Sequence, residues 1–305
     1  MPARPFDLIT LGLNAVDRIA LLDRPYRPDD KLPVRAIVRR AGGQAATAAV
    51  TAARLGRRAA FIGAVGDDDD GRWALAELRR ERVDVRGVVV RRRTTSQQAL
   101  ILAAPDGSRT IFWHKSSGIT VRPHELDRAR LARARCFLCD GHFPAAELAA
   151  ARHCRRHGVP TVIDLEHDAG PTTRRLLRQI DHIVCPGRMP DRLRGVPFAN
   201  DRARCAWLRA TFAATAVVLT LGARGCCGLD ARGFHRVPAR RVRVVDTTGA
   251  GDVFHGAYCV ALLAGQPLAQ RLVFANYVAG EKCRQAGARA GIPRLRDLPA
   301  RLRPA

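Results

Sequence analysis

The stretch with the most chemical content is Val-Val-Asp-Thr-Thr-Gly-Ala-Gly-Asp-Val-Phe, residues 244–254. Gly249, Ala250 and Gly251 leave their backbone N–H groups bare, and Asp252 is the first larger side chain beyond them. The preceding RVRVV (241–245) is strand-like, and Val253, Tyr258, Ala261 and Leu262 fall near helical spacing. The small run therefore reads as the junction of a strand and a helix N-terminus, where free N–H groups and the helix dipole favour an anion. A phosphoryl group seated there, with Asp252 accepting the proton of an attacking hydroxyl, would constitute a phosphoryl-transfer site built on positioning and charge stabilisation. A plain Gly-rich helix cap fits the same residues taken alone.

Other reactive residue types carry less. Cys136 and Cys139 have CxxC spacing but sit in an apolar run without a second pair, which reads as buried, unbonded thiols in a strand. His153 and His157 lie one helical turn apart with no third ligand in view, so a solvated helix face is the expectation. The run Asp67–Asp70 suits the positive end of a helix dipole, as a cap and not a metal site.

Bulk properties narrow the class. The 305 residues suffice for one large α/β domain or two modest ones, and 47% apolar content fits a globular chain. A net charge of +24 suggests nucleic acid or membrane at first sight. However, only Lys31, Lys115 and Lys282 are lysines among 52 basic residues, and no basic block exceeds Arg91-Arg92-Arg93. This is a compositional bias toward Arg, and it points more to attraction for phosphorylated small molecules than to a nucleic-acid track. The opening apolar run is too short to span a membrane, and nine Cys without a signal peptide suit a reduced cytoplasm.

These residues must be held by an alternating framework. Strands are expected at 6–13, 59–66, 136–140, 159–165, 182–185 and 216–222, with Cys226 and Cys227 continuing the last. Helices are expected at 42–56, from Asp67 to about Arg80, from Pro144 to His157, and over 201–213, 252–264 and 268–284. Such alternation predicts an α/β fold, a doubly wound, mostly parallel sheet, in a single domain over 1–305. Two stretches break the pattern: an extended segment at 31–41, and a hairpin at 96–114 turning at Pro105-Asp106-Gly107. Both are expected to leave the main sheet and pair into a small β-sheet, a lid over the strand ends or a homodimer surface.

Taken whole, DTTGAGDVFHGAY closely resembles the C-terminal signature of the PfkB carbohydrate kinases, the ribokinase-like family. GGQAATAAVTAARLG (42–56) is similar to the family's N-terminal block, with VGDDDDG after it; ITLGLNAVDRI and VVLTLGARGC resemble its first strand and its nucleotide-side strand. The resemblance spans almost the whole chain. It implies a ribokinase-like three-layer sandwich and ATP-dependent phosphorylation of a sugar hydroxyl, with Mg²⁺ on the ATP phosphates. By position it implies Asp252 as catalytic base with Gly249, Ala250 and Gly251 as anion hole. Asn14, Asp17, Gly42 and Gly43 would contact the sugar. Thr220, Gly222 and Gly225 would line the ATP phosphates, and Asn276 would lie in the helix bordering the adenine. Asp246 and Thr248 would lie near a monovalent cation, K⁺.

The departures matter. Gln44 and Thr47 stand where ribokinase has Lys and Asn, which argues against ribose and leaves the string closer to the ketose kinases. The family's Asn-x-x-Glu motif, which helps hold Mg²⁺ through water, falls on IVCPGRMPDRL (183–193), with Gly187 and Pro190 near its positions and Asp191 one residue off as a partial substitute. Arg109 and Lys115 could close over an anionic substrate such as a phosphosugar or sulfosugar, and Phe112 and Trp113 are candidates to stack on a nucleoside. A catalytically weak member with a regulatory or nucleic-acid-binding role is the alternative of a different class.

Overall fold

The computed structural model describes residues 5–106, 109–168 and 170–303. The chain runs β1 (Phe6–Leu11), β2 (Ala15–Leu21), β3 (Ala36–Gly42), α1 (Gln44–Arg54), β4 (Ala59–Gly66), α2 (Asp69–Arg80), β5 (Asp84–Arg91), β6 (Gln98–Ala103) and β7 (Arg109–His114). It continues with α3 (Arg128–Ala132), β8 (Ala134–Cys139), α4 (Pro144–Arg156), β9 (Thr161–Asp164), α5 (Pro171–Leu177), β10 (His182–Pro186), α6 (Met189–Arg194), α7 (Asp201–Phe212) and β11 (Ala216–Thr220). The last elements are β12 (Cys226–Asp230), β13 (Gly233–Val237), α8 (Ala250–Leu263) and α9 (Leu268–Lys282).

Nine strands form one sheet in the order β13-β12-β11-β10-β9-β8-β1-β4-β5, and four form a second in the order β3-β2-β6-β7. In the large sheet every pairing from β11 to β5 is parallel, and only β12 and β13 pair antiparallel. Period-two alternation divides the strands between two cores. Leu8, Phe61, Leu138, Val162, Val184 and Val218 face α1, α8 and α9. Ile9, Ile62, Phe137, Ile163, Ile183 and Val217 face the opposite layer, which includes α4, α5 and α7. The expected doubly wound sheet is thus a three-layer α/β/α sandwich with a small β-sheet beside it.

Three details differ from the sequence reading. The strand expected to run from 6 to 13 ends at Leu11; Gly12 carries φ +159°, and the chain re-enters as β2 in the small sheet. Cys226 and Cys227 do not continue β11: the chain turns at 222–225 and returns antiparallel as β12. RVRVV is not a strand; 238–248 belong to no ladder, and β13 is the edge strand of the sheet. Val245 and Asp246 instead donate their N–H groups to the carbonyl of Cys283 at 2.8 and 3.1 Å.

Other expectations hold. Asp68 caps α2, accepting from Gly71 N at 2.8 Å. All nine cysteines are buried and unbonded; Cys136 and Cys226 point into one core, Cys139 and Cys227 into the other. The hairpin β6–β7 pairs Ala103 with Arg109, and Gly107 of its expected turn lies outside the described residues.

Candidate active site

The two Gly-rich motifs meet because the helices that follow them pack tightly. Gly256 of α8 lies against α1 so closely that a Cβ would stand 2.6 Å from the carbonyl of Ala48 and 2.7 Å from Cβ of Thr51. This pairing sets the N-termini of α1 and α8 side by side at one end of the sheet. Gly43 caps α1 with φ +88°, and a Cβ there would meet Leu13 O at 2.6 Å. Gly249 caps α8 with φ +75°, and a Cβ there would stand 2.8 Å from that of Ala288. Around Gly251, by contrast, nothing lies within 4 Å of the Cβ direction, so the anion seat is open.

Asp252 lies in the first turn of α8 and is half-buried. Burial pushes its carboxyl up to about 7, the neighbouring acids Glu166, Asp140 and Asp17 add to the rise, and Arg289 opposes it. Asp17, on β2, is buried and raised to about 6, first by desolvation and then by Asp246, against the pull of Arg289. Its carboxylate lies directly over Gly42, where a Cβ would collide with it. Asn14 is buried beside them, with its Nδ2 donor unpartnered.

Arg289 joins these groups. It is buried, donates Nε to Thr47 Oγ1 at 3.2 Å and Nη2 to Asn14 Oδ1 at 3.0 Å, and also bonds the carbonyl of Gly42. Its Nη1 has no hydrogen-bond partner. Gln44, predicted beside the sugar, accepts from His142 Nε2 at 2.7 Å, with Asp140 and Lys115 nearby; Thr47 is fully buried. Asp140 anchors the floor by accepting from Leu13 N at 2.7 Å and Ala45 N at 3.2 Å. Arg109 extends from the small sheet to bond Thr247 Oγ1, so that sheet is tied to the loop that leads into α8. His255 is held beneath it, with Nδ1 2.7 Å from Gly251 O and Nε2 3.3 Å from Asp164 Oδ1; this is a packed, buried position.

Thr220 ends β11 and, with Gly187, Arg188, Arg192 and Arg224, lines a cleft of about 400 Å³. Gly222 begins the turn after Thr220 and Gly225 closes it. Asn276, on α9, donates Nδ2 to Pro238 O at 2.7 Å, which ties α9 to the chain leading out of β13. Asp191 does not present a free carboxylate: Arg204 grips both its oxygens, at 2.9 Å and 3.0 Å, and Phe198 N donates to it. With Gly187 and Pro190 flanking it, this segment does not fit a protein-held Mg²⁺, and no group of three or more His, Cys, Asp or Glu suited to a metal occurs among the described residues. Asp246 and Thr248 are together, since Asp246 accepts from Thr248 N at 2.8 Å and from Gly287 N at 2.7 Å.

Sequence reasoning missed Arg289, Lys282 and Asp140. Residues 6–295 match the pfkB family carbohydrate kinase pattern. The chain belongs to that family. The ribokinase of Staphylococcus aureus is 26% identical over 95% of this chain and 98% of its own length. Fructokinase-1 of Zea mays is 30% identical over 73% of each chain. The structure of Arabidopsis thaliana ribokinase complexed with ribose and ATP shares the fold, with a TM-score of 0.82 at 22% identity, covering 95% of this chain and 96% of that one. This pfkB-family protein is an ATP-dependent sugar kinase. No helix among its described residues is long and apolar enough to cross a membrane.

Proposed function

We propose that the enzyme transfers the γ-phosphoryl group of ATP to a hydroxyl of a sugar, a ketose such as fructose first among candidates, with Asp252 as the general base. The observation that carries this reading is the raised, half-buried carboxylate of Asp252 one residue beyond the open Gly249–Gly251 turn and facing Asp17. A carboxyl near 7 accepts a hydroxyl proton at neutral pH better than an ordinary Asp does. The hydroxyl oxygen forms a bond to the γ-phosphorus as the bond to the β,γ-bridging oxygen breaks; its proton passes to Asp252 and ADP leaves. The N–H groups of Gly249 and Gly251 are assigned to the charge building on the equatorial oxygens, joined by that of Ala250 once it leaves the carbonyl of Thr247, to which it donates at 3.1 Å.

Asn14, Asp17 and the Gly42–Gly43 backbone are assigned to the sugar hydroxyls. Thr220, Gly222 and Gly225 are assigned to the ATP phosphates, and Asn276 to the border of the adenine. Mg²⁺ bound by those phosphates would need no carboxylate from 183–193. The small sheet acts as a lid tethered through Arg109, and a second copy of the chain covers its outer face. Fructokinase and ribokinase relatives support the sugar class, and Gln44 in place of Lys favours a ketose. ATP consumption over a panel of ketoses, aldoses, phosphosugars and nucleosides tests the reading. Asp252→Asn should abolish transfer while leaving ATP binding intact; a fully active Asn variant removes Asp252 from the role of base.

A further inference from the structure

Lys282 closes the last turn of α9 and is fully buried. Burying an ammonium costs several kcal/mol unless the site compensates it. Here the compensation comes mainly from main chain: Nζ donates to the carbonyl oxygen of Asp246 at 2.9 Å. The carboxylate of the same residue is occupied by Thr248 N and Gly287 N, which fold the 246–249 loop against 283–288. Around the ammonium stand Asp246 and Asp252 on the negative side, the Cys283 thiol beside it, and Arg109 on the positive side. The positive charge of the ammonium therefore lies against the loop that leads into the anion hole, bound to oxygen as a monovalent metal ion would be.

The K⁺ expected at Asp246 and Thr248 does not fit this arrangement. An ion at the Asp246 carbonyl would meet the Lys282 ammonium at contact range in a poorly screened interior. We propose that the Lys282 ammonium takes the place of a monovalent metal ion at the anion hole, so that the Gly249–Gly251 turn is ordered and electrostatically completed without K⁺. Lys282 acts as a positioning residue: it touches the loop and reaches the reacting phosphoryl only through it. The compact ammonium suits the task where Arg would not, since a guanidinium is a broad planar fork and Lys a point charge with three donors. In a chain with only three lysines among 52 basic residues, the choice of Lys at 282 is specific.

The inference rests on the kinase reading, and its test includes a readout independent of turnover. The full-length protein, Lys282→Ala and Lys282→Met are compared in potassium chloride and in tetramethylammonium chloride at equal ionic strength, by melting temperature and by sugar-dependent ATP consumption. The wild type should melt at the same temperature in both salts, with kcat differing by less than about twofold. Lys282→Ala should lose about tenfold or more of kcat in tetramethylammonium, and K⁺ should restore most of it and raise its melting temperature. Lys282→Met, which keeps the stem but not the charge, should stay slow in both salts. A K⁺-specific gain in the wild type's melting temperature or kcat overturns the proposal, as does undiminished activity of Lys282→Met in tetramethylammonium. If neither variant folds, the wild-type comparison decides. If no sugar is phosphorylated in any salt, the kinase reading falls, and the melting curves still judge the cation substitution.

Discussion

Asp252 and Arg289 set the chemistry as a pair. Asp252 faces Glu166, Asp140 and Asp17, which discourage its ionisation, and Arg289, which favours it. As the base must be deprotonated, kcat/KM should rise with pH through about 7 in the free enzyme, and a pH–rate profile checks this. Arg289→Gln should move that limb to higher pH, because a positive charge that opposes the rise is gone. It should also raise the sugar KM by about tenfold or more if the unpartnered Nη1 serves the substrate. A variant whose limb stays in place assigns Arg289 to packing alone. Stability carries the opposite sign from activity. The folded-state pKa of Asp252 lies above its unfolded value, so ionisation costs the fold progressively as pH rises from about 4 to about 7. Asp252→Asn should therefore stabilise the protein at pH 8, on the order of a few kcal/mol, and leave it unchanged at pH 4, as denaturant melts at the two pH values would show. Asp252 and its turn stood out in the sequence on local physics, a bare turn ahead of a helix N-terminus, whereas Asn14, Asp17 and the Gly pair stood out only through the resemblance to the pfkB kinases. Arg289 and Lys282 did not, since they reach the site from a stretch far along the chain where spacing says nothing. For Lys282 the sequence carries one faint signal, the scarcity of lysine, which sets Lys115 and Lys282 apart from the arginines around them.

Elements carry the site by how closely they approach. The alternation of apolar runs was enough to predict the parallel sheet and the main helices that cover it, α1, α2, α4, α7, α8 and α9. What it could not give was the fate of residues 238–248, whose β-branched run has strand propensity but pairs with no strand and bonds the carbonyl of Cys283 instead. The same limit hid β12 and β2, because a turn at Gly225 and a bend at Gly12 depend on where the partner strand stands. The α1–α8 contact is equally invisible in one dimension, although Gly256 is its requirement. A methyl group at 256 would meet the Ala48 carbonyl at 2.6 Å, and backbone cannot step aside without parting the two helices. Gly256→Ala is expected to cost about 1–3 kcal/mol, read as a lower melting temperature, and to reduce kcat beyond what the stability loss explains. Ordinary kcat with a lowered melting temperature would separate the packing of α1 on α8 from alignment of the two motifs.

At the scale of the molecule, the small sheet has two unlike faces. Cross-strand register places Arg40 and Gly42 on the face of Asp17, toward the site. The opposite face carries Ile37, Leu100 and Phe112, 68%, 47% and 53% exposed, with Leu100 paired directly to Phe112. Three large apolar side chains on one face of a narrow sheet are costly to leave in water, and such a patch is a site for association. The chain's own charge opposes loose aggregation, since copies carrying +24 repel one another unless the contact is specific. These two terms together favour a closed pair, sheet on sheet, over open-ended assembly. Sedimentation at micromolar concentration should therefore give twice the 33.3 kDa chain mass. Phe112→Asp, which buries a charge in that contact, should give the monomer with its melting curve little changed. Because β7 also bears Arg109, which bonds Thr247 beside the anion hole, the monomeric variant should show a raised sugar KM. A wild type that sediments as a monomer, or a Phe112→Asp dimer with ordinary kinetics, would leave the apolar face unrelated to catalysis and limit the lid's anchoring to the Arg109–Thr247 contact within one chain.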